Sequence, residues 1–191
     1  MVRSILGAVL AAGFAQAASA QVLTGEQLAP MLFAPTGAEV EIIEKPYLAA
    51  DQAAILKQVG AMQPYYGAIA ISPDEGIMVE ATVAGANHNS TEAAEAFALQ
   101  ACDAKRKGKT PCAVVALIRP AGWAARPYQL SSGATEAFAE YMKIRRDKAF
   151  AISASTGLWG MGKGRDAAAK AIAECATKPP QPTDCALLVQ D

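Results

Sequence analysis

Two stretches decide the reading of this chain: AIAISPDEG (Ala68–Gly76) and AFAISASTG (Ala149–Gly157). They coincide at Ala68, Ala70, Ile71, Ser72 and Gly76, which fall on Ala149, Ala151, Ile152, Ser153 and Gly157. An apolar run that ends in small polar residues and a glycine reads as a strand entering a turn, here twice. Downstream, AEAFALQAC (Ala94–Cys102) lies over AAAKAIAEC (Ala167–Cys175). The matched positions Ala94, Ala98, Leu99 and Cys102 recur at helical spacing and so share one face. Each copy closes on a short apolar strand opened by its second cysteine, CAVVALI (Cys112–Ile118) and CALLV (Cys185–Val189). The pattern predicts an α+β fold of two β-β-α-β repeat units with antiparallel sheet.

The cysteines fit that repeat. Cys102 and Cys112 stand ten residues apart, as do Cys175 and Cys185. Four cysteines admit three connectivities, and the repeat selects Cys102 with Cys112 and Cys175 with Cys185, one disulfide per unit. The first cysteine ends a helix on its buried face and the second begins a strand, so the bond docks helix on sheet. The enclosed loops, CDAKRKGKTPC and CATKPPQPTDC, are then free to differ. Closing a loop of about ten residues contributes about 2–3 kcal/mol in a chain-entropy estimate. A metal site would need closer ligand spacing or several histidines, and the chain has a single histidine. No metal and no cofactor is expected.

The first twenty residues, MVRSILGAVLAAGFAQAASA, set Arg3 before an apolar run and end in Ala18-Ser19-Ala20, the pattern of a removable export signal. The run is far shorter than the roughly 20 residues a membrane-spanning helix requires, and no later segment approaches that length. The expected location is periplasmic or secreted, where an even cysteine count favours disulfides. Net charge is −1 for the whole chain and becomes about −2 without Arg3. Nucleic acid is therefore not an expected partner, nor is a membrane span in the mature chain.

Outside the repeat, Thr24 and Gln27 make a capping-box pattern for a short helix, and AEVEII (Ala38–Ile43) alternates like an additional strand. A helix is predicted ahead of each unit, over Leu48–Met62 and over 132–146. RPAGWAARPYQL (Arg119–Leu130) reads as a connector. The organisation is thus a signal at 1–20, an N-terminal helix and strand segment at 21–63, repeat unit one at 64–118, connector and helix at 119–147, and repeat unit two at 148–191. Unit one carries eight extra residues within GIMVEATVAGANHNST (Gly76–Thr91): Ser72 to Cys102 spans 30 positions and Ser153 to Cys175 spans 22. An asymmetric function would reside there.

Gly157, Trp159, Gly160, Ala167, Ala171, Cys175 and Cys185 form a Gly-Trp-Gly hairpin, an Ala-rich helix ending in cysteine, and a second cysteine before an apolar strand. In this the second unit resembles the DUF4189 type of small exported bacterial domain. The first unit matches at Ala70, Ser72, Gly76, Ala94, Cys102 and Cys112 but lacks the Gly-Trp-Gly portion, and the resemblance covers roughly Tyr66 to Asp191. It implies export and a disulfide-stapled fold, without a reaction. Some full-length look-alikes are called 5-aminolevulinate synthase. That chemistry implies pyridoxal phosphate on a Schiff-base lysine, a phosphate cup and a partner for the ring nitrogen, and none of these parts is recognisable in this sequence.

GLWGMGKG (Gly157–Gly164) comes within one letter of a phosphate-binding loop, but Gly164 stands where the magnesium-binding Ser or Thr belongs. Small residues that admit a helix or ring onto a sheet explain these glycines better. His88, in GANHNST, is the one proton-transfer candidate; its plainer reading is a surface-loop histidine beside N-cap residues Asn89, Ser90 and Thr91. The same three residues spell a glycosylation sequon. Asp74 with Glu75 reads as a solvated turn, and Glu92 with Glu95 as a helix start. Lys105, Arg106, Lys107 and Lys109 make a basic loop that would meet anionic envelope polymers, or water alone. Tyr65, Tyr66, Trp123 and Trp159 would line a groove between the units, or pack in the core.

Hydrolase signatures are absent, and no catalytic residue is assigned. The expected function is a non-catalytic periplasmic binding or interaction module for an envelope ligand or protein, with Tyr66, His88, Trp123 and Trp159 as candidate binding residues. The alternative is a small enzyme using His88 in a cleft.

Overall fold

A computed structural model describes residues 21–191; the export signal expected at 1–20 lies outside the described residues. The chain runs α1 (Gly25–Leu28), a 3-10 turn (Ala29–Met31), β1 (Ala38–Ile42), α2 (Ala50–Ala61), β2 (Gly67–Ile71), β3 (Val83–Gly85), α3 (Thr91–Asp103) and β4 (Ala113–Pro120). It continues through α4 (Ser132–Met142), β5 (Lys148–Ser153), β6 (Trp159–Lys163), α5 (Ala167–Thr177) and β7 (Cys185–Gln190). The fold is α+β with two separate antiparallel sheets, ordered β1-β4-β2-β3 and β6-β5-β7. Each sheet belongs to one unit.

The alternation in the two matching strands explains the layers, because successive side chains of a strand face opposite ways. Ala68 and Ala70 pack with Ala94, Ala98 and Cys102 of α3, while Ile69 and Ile71 pack with Leu56 of α2. In the second unit Ala149 and Ala151 meet Ala167, Ala171 and Cys175 of α5, and Phe150 meets Phe138 and Tyr141 of α4. The alanine face admits the stapled helix closely. The large-residue face receives the helix that precedes the unit. The segments expected to be an N-terminal extension and a connector therefore each supply a third layer, and the repeated body is α-β-β-α-β.

Both disulfides form as the repeat predicts, with Cα separations of 6.1 Å for Cys102–Cys112 and 6.0 Å for Cys175–Cys185. On the second unit the close approach of α5 explains the glycines of GLWGMGKG: a Cβ on Gly160 would collide with the Ala171 carbonyl, and one on Gly162 with the Ala167 carbonyl. The stretch is a turn followed by β6, and α5 begins only at Ala167, so no backbone cradle stands at the lysine.

The residues after Ala20 are tied into the second sheet. Leu23 forms a parallel bridge with Val189, donating to the Leu188 carbonyl at 2.9 Å and accepting from the Gln190 amide at 2.9 Å. Thr24 and Gln27 complete the predicted capping box of α1. The Asp191 carboxylate accepts from the Gly25 amide at 3.0 Å and from the Tyr141 hydroxyl at 2.8 Å, so it fastens α1 to α4.

Candidate functional site

The two units meet along Asn87–Asn89, inside the extra residues of unit one. Asn87 adopts a left-handed backbone (φ 60°), a conformation asparagine tolerates better than most residues. From there the His88 amide donates to the Tyr66 carbonyl at 3.0 Å and the Asn89 amide to the Thr156 carbonyl at 3.0 Å. The chain thus steps from β2 of one unit to the β5–β6 turn of the other.

Side chains complete the junction. Asn87 Oδ1 accepts from the Gly133 amide at 3.0 Å at the start of α4. Asn89 Nδ2 donates to the carbonyls of Ser153 (3.0 Å) and Leu158 (3.2 Å), and Asn89 Oδ1 accepts from the Ser131 amide at 2.9 Å. Gly157 lies so close that a Cβ there would strike the Asn87 carbonyl. Asn89 is buried and fully engaged, so the sequon asparagine is closed to modification in the folded chain. Ser90 caps α3 as expected, its Oγ accepting from the Ala93 amide at 3.0 Å.

A cavity of about 300 Å³ opens at this junction, with Asn87, His88, Phe97, Thr156, Leu158 and Pro180 among its walls. His88 is 8% exposed, not a surface-loop residue as its polar neighbours suggested. Its ring lies 5.3 Å from that of Phe97, and the missing side chain of Gly85 makes room for both. Burial pushes the imidazole below its ordinary pKa of 6.5, with the Ala86 carbonyl opposing the shift, so the ring is neutral at pH 7. His88 Nδ1 is buried with no hydrogen-bond partner.

Of the two hydroxyl residues that line this cavity, Ser155 has its Oγ 3.4 Å from Ser153 Oγ, and Thr156 is held within the turn. Thr156 Oγ1 donates to Ser153 Oγ at 2.8 Å and accepts from the Leu158 amide at 3.1 Å. Asp184 holds the turn from behind, accepting from Ser153 Oγ at 2.6 Å and the Ser155 amide at 2.7 Å. Partial burial pushes the Asp184 carboxyl up, but these hydrogen bonds outweigh it and leave its pKa lowered. Among the described residues no carboxylate lines the cavity. The cavity thus brings together the imidazole, an exposed aromatic edge and backbone polar groups.

Unit one contains the same turn-to-loop lock with its polarity reversed. There the turn supplies the acids: Asp74 accepts from the Thr110 amide and hydroxyl, each at 2.8 Å, and Glu75 from the amides of Lys107 (2.9 Å) and Gly108 (3.1 Å). In unit two the loop supplies Asp184 and the turn supplies the donors. Arg106 turns inward to Asp103 and to the Gly108 and Lys109 carbonyls, so one of the four basic residues is structural.

The remaining sequence candidates lie apart. Tyr66 is buried with its ring 5.3 Å from Tyr65, and burial drives its hydroxyl to a pKa of about 12; it touches the site through its carbonyl. Trp123 sits under the Arg119 guanidinium at 4.2 Å, in a different cavity with Glu39 and Glu41. Trp159 stacks on Phe150 at 5.6 Å, beneath Lys178. The aromatic beside His88 is instead Phe97, which sequence reasoning passed over; its signal was a large apolar residue off the Ala94–Ala98 face. Among the described residues no cluster of three or more His, Cys, Asp or Glu is placed to hold a metal, and no helix is long and apolar enough to cross a membrane.

A family model described as a domain of unknown function, DUF4189, matches residues 66–190. No curated protein and no solved structure matches the chain.

Proposed function

The chain belongs to the DUF4189 family, and from that premise we propose that it is an exported, non-catalytic binding module whose ligand site is the His88 cavity between its two units. One observation carries this reading: the sole histidine, nine-tenths buried, lines a cavity between two disulfide-stapled units. At about 300 Å³ the cavity suits a small ligand, at the lower end of the ~300–1,000 Å³ range of such sites. Export is supported by the two disulfides and by Leu23, which the fold retains just past the Ala18-Ser19-Ala20 cleavage pattern. A periplasmic or secreted location, and a division into two related units, belong to this reading.

A second reading, a small enzyme using His88, draws on the same placement in a cavity. The engaged Thr156 hydroxyl and the lack of a lining carboxylate among the described residues favour binding over turnover. The test is a thermal-shift screen of small envelope metabolites against the wild type and His88→Ala. The binding reading expects ligand-dependent stabilisation that His88→Ala abolishes, with the ligand recovered unchanged. Saturable conversion of a ligand, lost in His88→Ala, would establish the enzyme instead.

A further inference from the structure

The edges of the two sheets are finished differently. On β6 three of the backbone groups that face away from β5 are met by side chains of α5 and its C-cap: the Met161 amide donates to Glu174 at 2.8 Å, Lys178 Nζ to the Trp159 carbonyl at 2.7 Å, and Lys170 Nζ to the Lys163 carbonyl at 3.3 Å. At the other edge of that sheet, Leu23 covers β7.

Among the described residues β1 has no such cover. The Ile43 amide donates to Val115 and the Gly37 carbonyl accepts from Ala121, so within the alternation of an antiparallel ladder residues 37, 39, 41 and 43 pair with β4. The amides and carbonyls of Ala38, Val40 and Ile42 therefore point outward. None of them meets a partner among the described residues. Three cavities flank this edge. One of about 230 Å³ lies on the Glu39 and Glu41 face beside Arg119; two of about 360 and 450 Å³ lie on the α2 side, the first beside Ala61 and Lys57, the second beside Ala50, Ala53 and Leu48 with Lys45 and Glu44 at its rim.

We infer that the free edge of β1 receives an extended segment of a partner protein as an added strand, with cationic side chains toward Glu39 and Glu41 and small apolar side chains toward the alanines of α2. Main-chain pairing supplies affinity in this mode, and pockets on alternate sides supply selectivity. The charge argues for the occupant: Arg119 is paired with Glu41, while Glu39 accepts only the Gly122 amide at 3.1 Å, so this face keeps one carboxylate without a cation. A second copy fits worse, because β1 against β1 would set Glu39 and Glu41 opposite like charges. The edge lies outside the family-matched residues 66–190, so the surface is a property of this chain in addition to the shared fold.

The test uses a synthetic peptide, acetyl-Lys-Val-Lys-Val-Lys-Val-Lys-amide, and amide hydrogen exchange resolved by residue. Expected is saturable binding that slows exchange at Ala38, Val40 and Ile42 by at least tenfold. Two peptides N-methylated on alternate amides should separate, one set losing binding at least tenfold and the other retaining it. Val40→Pro, which deletes one outward amide, and Glu39→Lys, which leaves the backbone intact, should each weaken binding. Binding without that protection, equal affinity of both methylated peptides, or no binding at all overturns the proposal. So does self-association that protects the same amides without peptide, because the occupant is then a second copy.

Discussion

Asn89 Oδ1 accepts the backbone amide of Ser131 at 2.9 Å, across the boundary between the two units. The same side chain donates two bonds to the β5–β6 turn, so one buried residue of unit one satisfies three backbone groups of the second half. Asn89→Ala leaves the Ser131 amide and the Ser153 carbonyl without these partners, while the Leu158 carbonyl keeps the Ser153 amide at 3.0 Å. The expected cost is about 3 kcal/mol, from penalties of ~1–3 kcal/mol per orphaned group. Urea denaturation measures it; a loss below about 1 kcal/mol would mean the halves are held by other contacts.

The staples should be of equal worth despite unrelated loops, because each closes a loop of sequence separation 10. Replacing either pair by serines is expected to lower stability by about 2–3 kcal/mol. Equilibrium unfolding of the two double variants, side by side, checks it. A difference of more than about 2 kcal/mol would show that loop sequence matters as much as closure.

Glycines of the second unit sort by what a methyl would meet. Gly162→Ala drives a Cβ into the Ala167 carbonyl, and the expected loss is about 3 kcal/mol or a failure to fold. Gly164→Ala meets nothing within 4 Å but sits at φ +68°, so its cost is backbone strain of about 1–2 kcal/mol. Soluble yield and thermal melting of the two variants should therefore diverge. Equal behaviour would contradict the direct seating of α5 on β6.

Acidification should act in two stages. The folded His88 takes up a proton less readily than the unfolded chain, whose histidine titrates near 6.5, so its contribution is complete above about pH 6.5 and is lost as pH falls toward the folded pKa. Asp184 and Asp74 have lowered folded pKa values, Asp184 through hydrogen bonds that outweigh burial and Asp74 through the Thr110 amide and hydroxyl. Their contribution is present above the ordinary carboxylate range and disappears below it. Stability measured from pH 8 to 3 should show both steps, and His88→Gln should remove only the first. A single carboxylate step in the wild type would contradict the burial of His88.

Much of this fold could be read in the sequence, because its determinants are local. The Ala-Ile-Ala-Ile and Ala-Phe-Ala-Ile alternations, the helical spacing of Ala94, Ala98 and Cys102, and the paired cysteines each act within one element or between neighbours. The site was not legible in the same way. That the excess residues of unit one mattered was readable, but Asn87 and Asn89 resemble loop and cap residues until α4 and the β5–β6 turn are folded against them. Asp74 and Glu75 looked solvated for the same reason: their donors, Thr110, Lys107 and Gly108, lie more than thirty residues away. Trp123 and Trp159 drew attention as aromatics, yet only tertiary structure tells a ring stacked in a core from one at a cavity mouth.

The central claim, that His88 is a buried neutral imidazole at a ligand site, is open to direct observation because the chain contains one histidine. The measurement is the nitrogen-15 spectrum of that ring, followed from pH 8 to 4 and again during addition of ligands from the thermal-shift screen. The account predicts a single imidazole that titrates below about 6.5 and whose resonances move on ligand addition in step with stabilisation. Titration at or above that value, with resonances unmoved by every stabilising ligand, would contradict it.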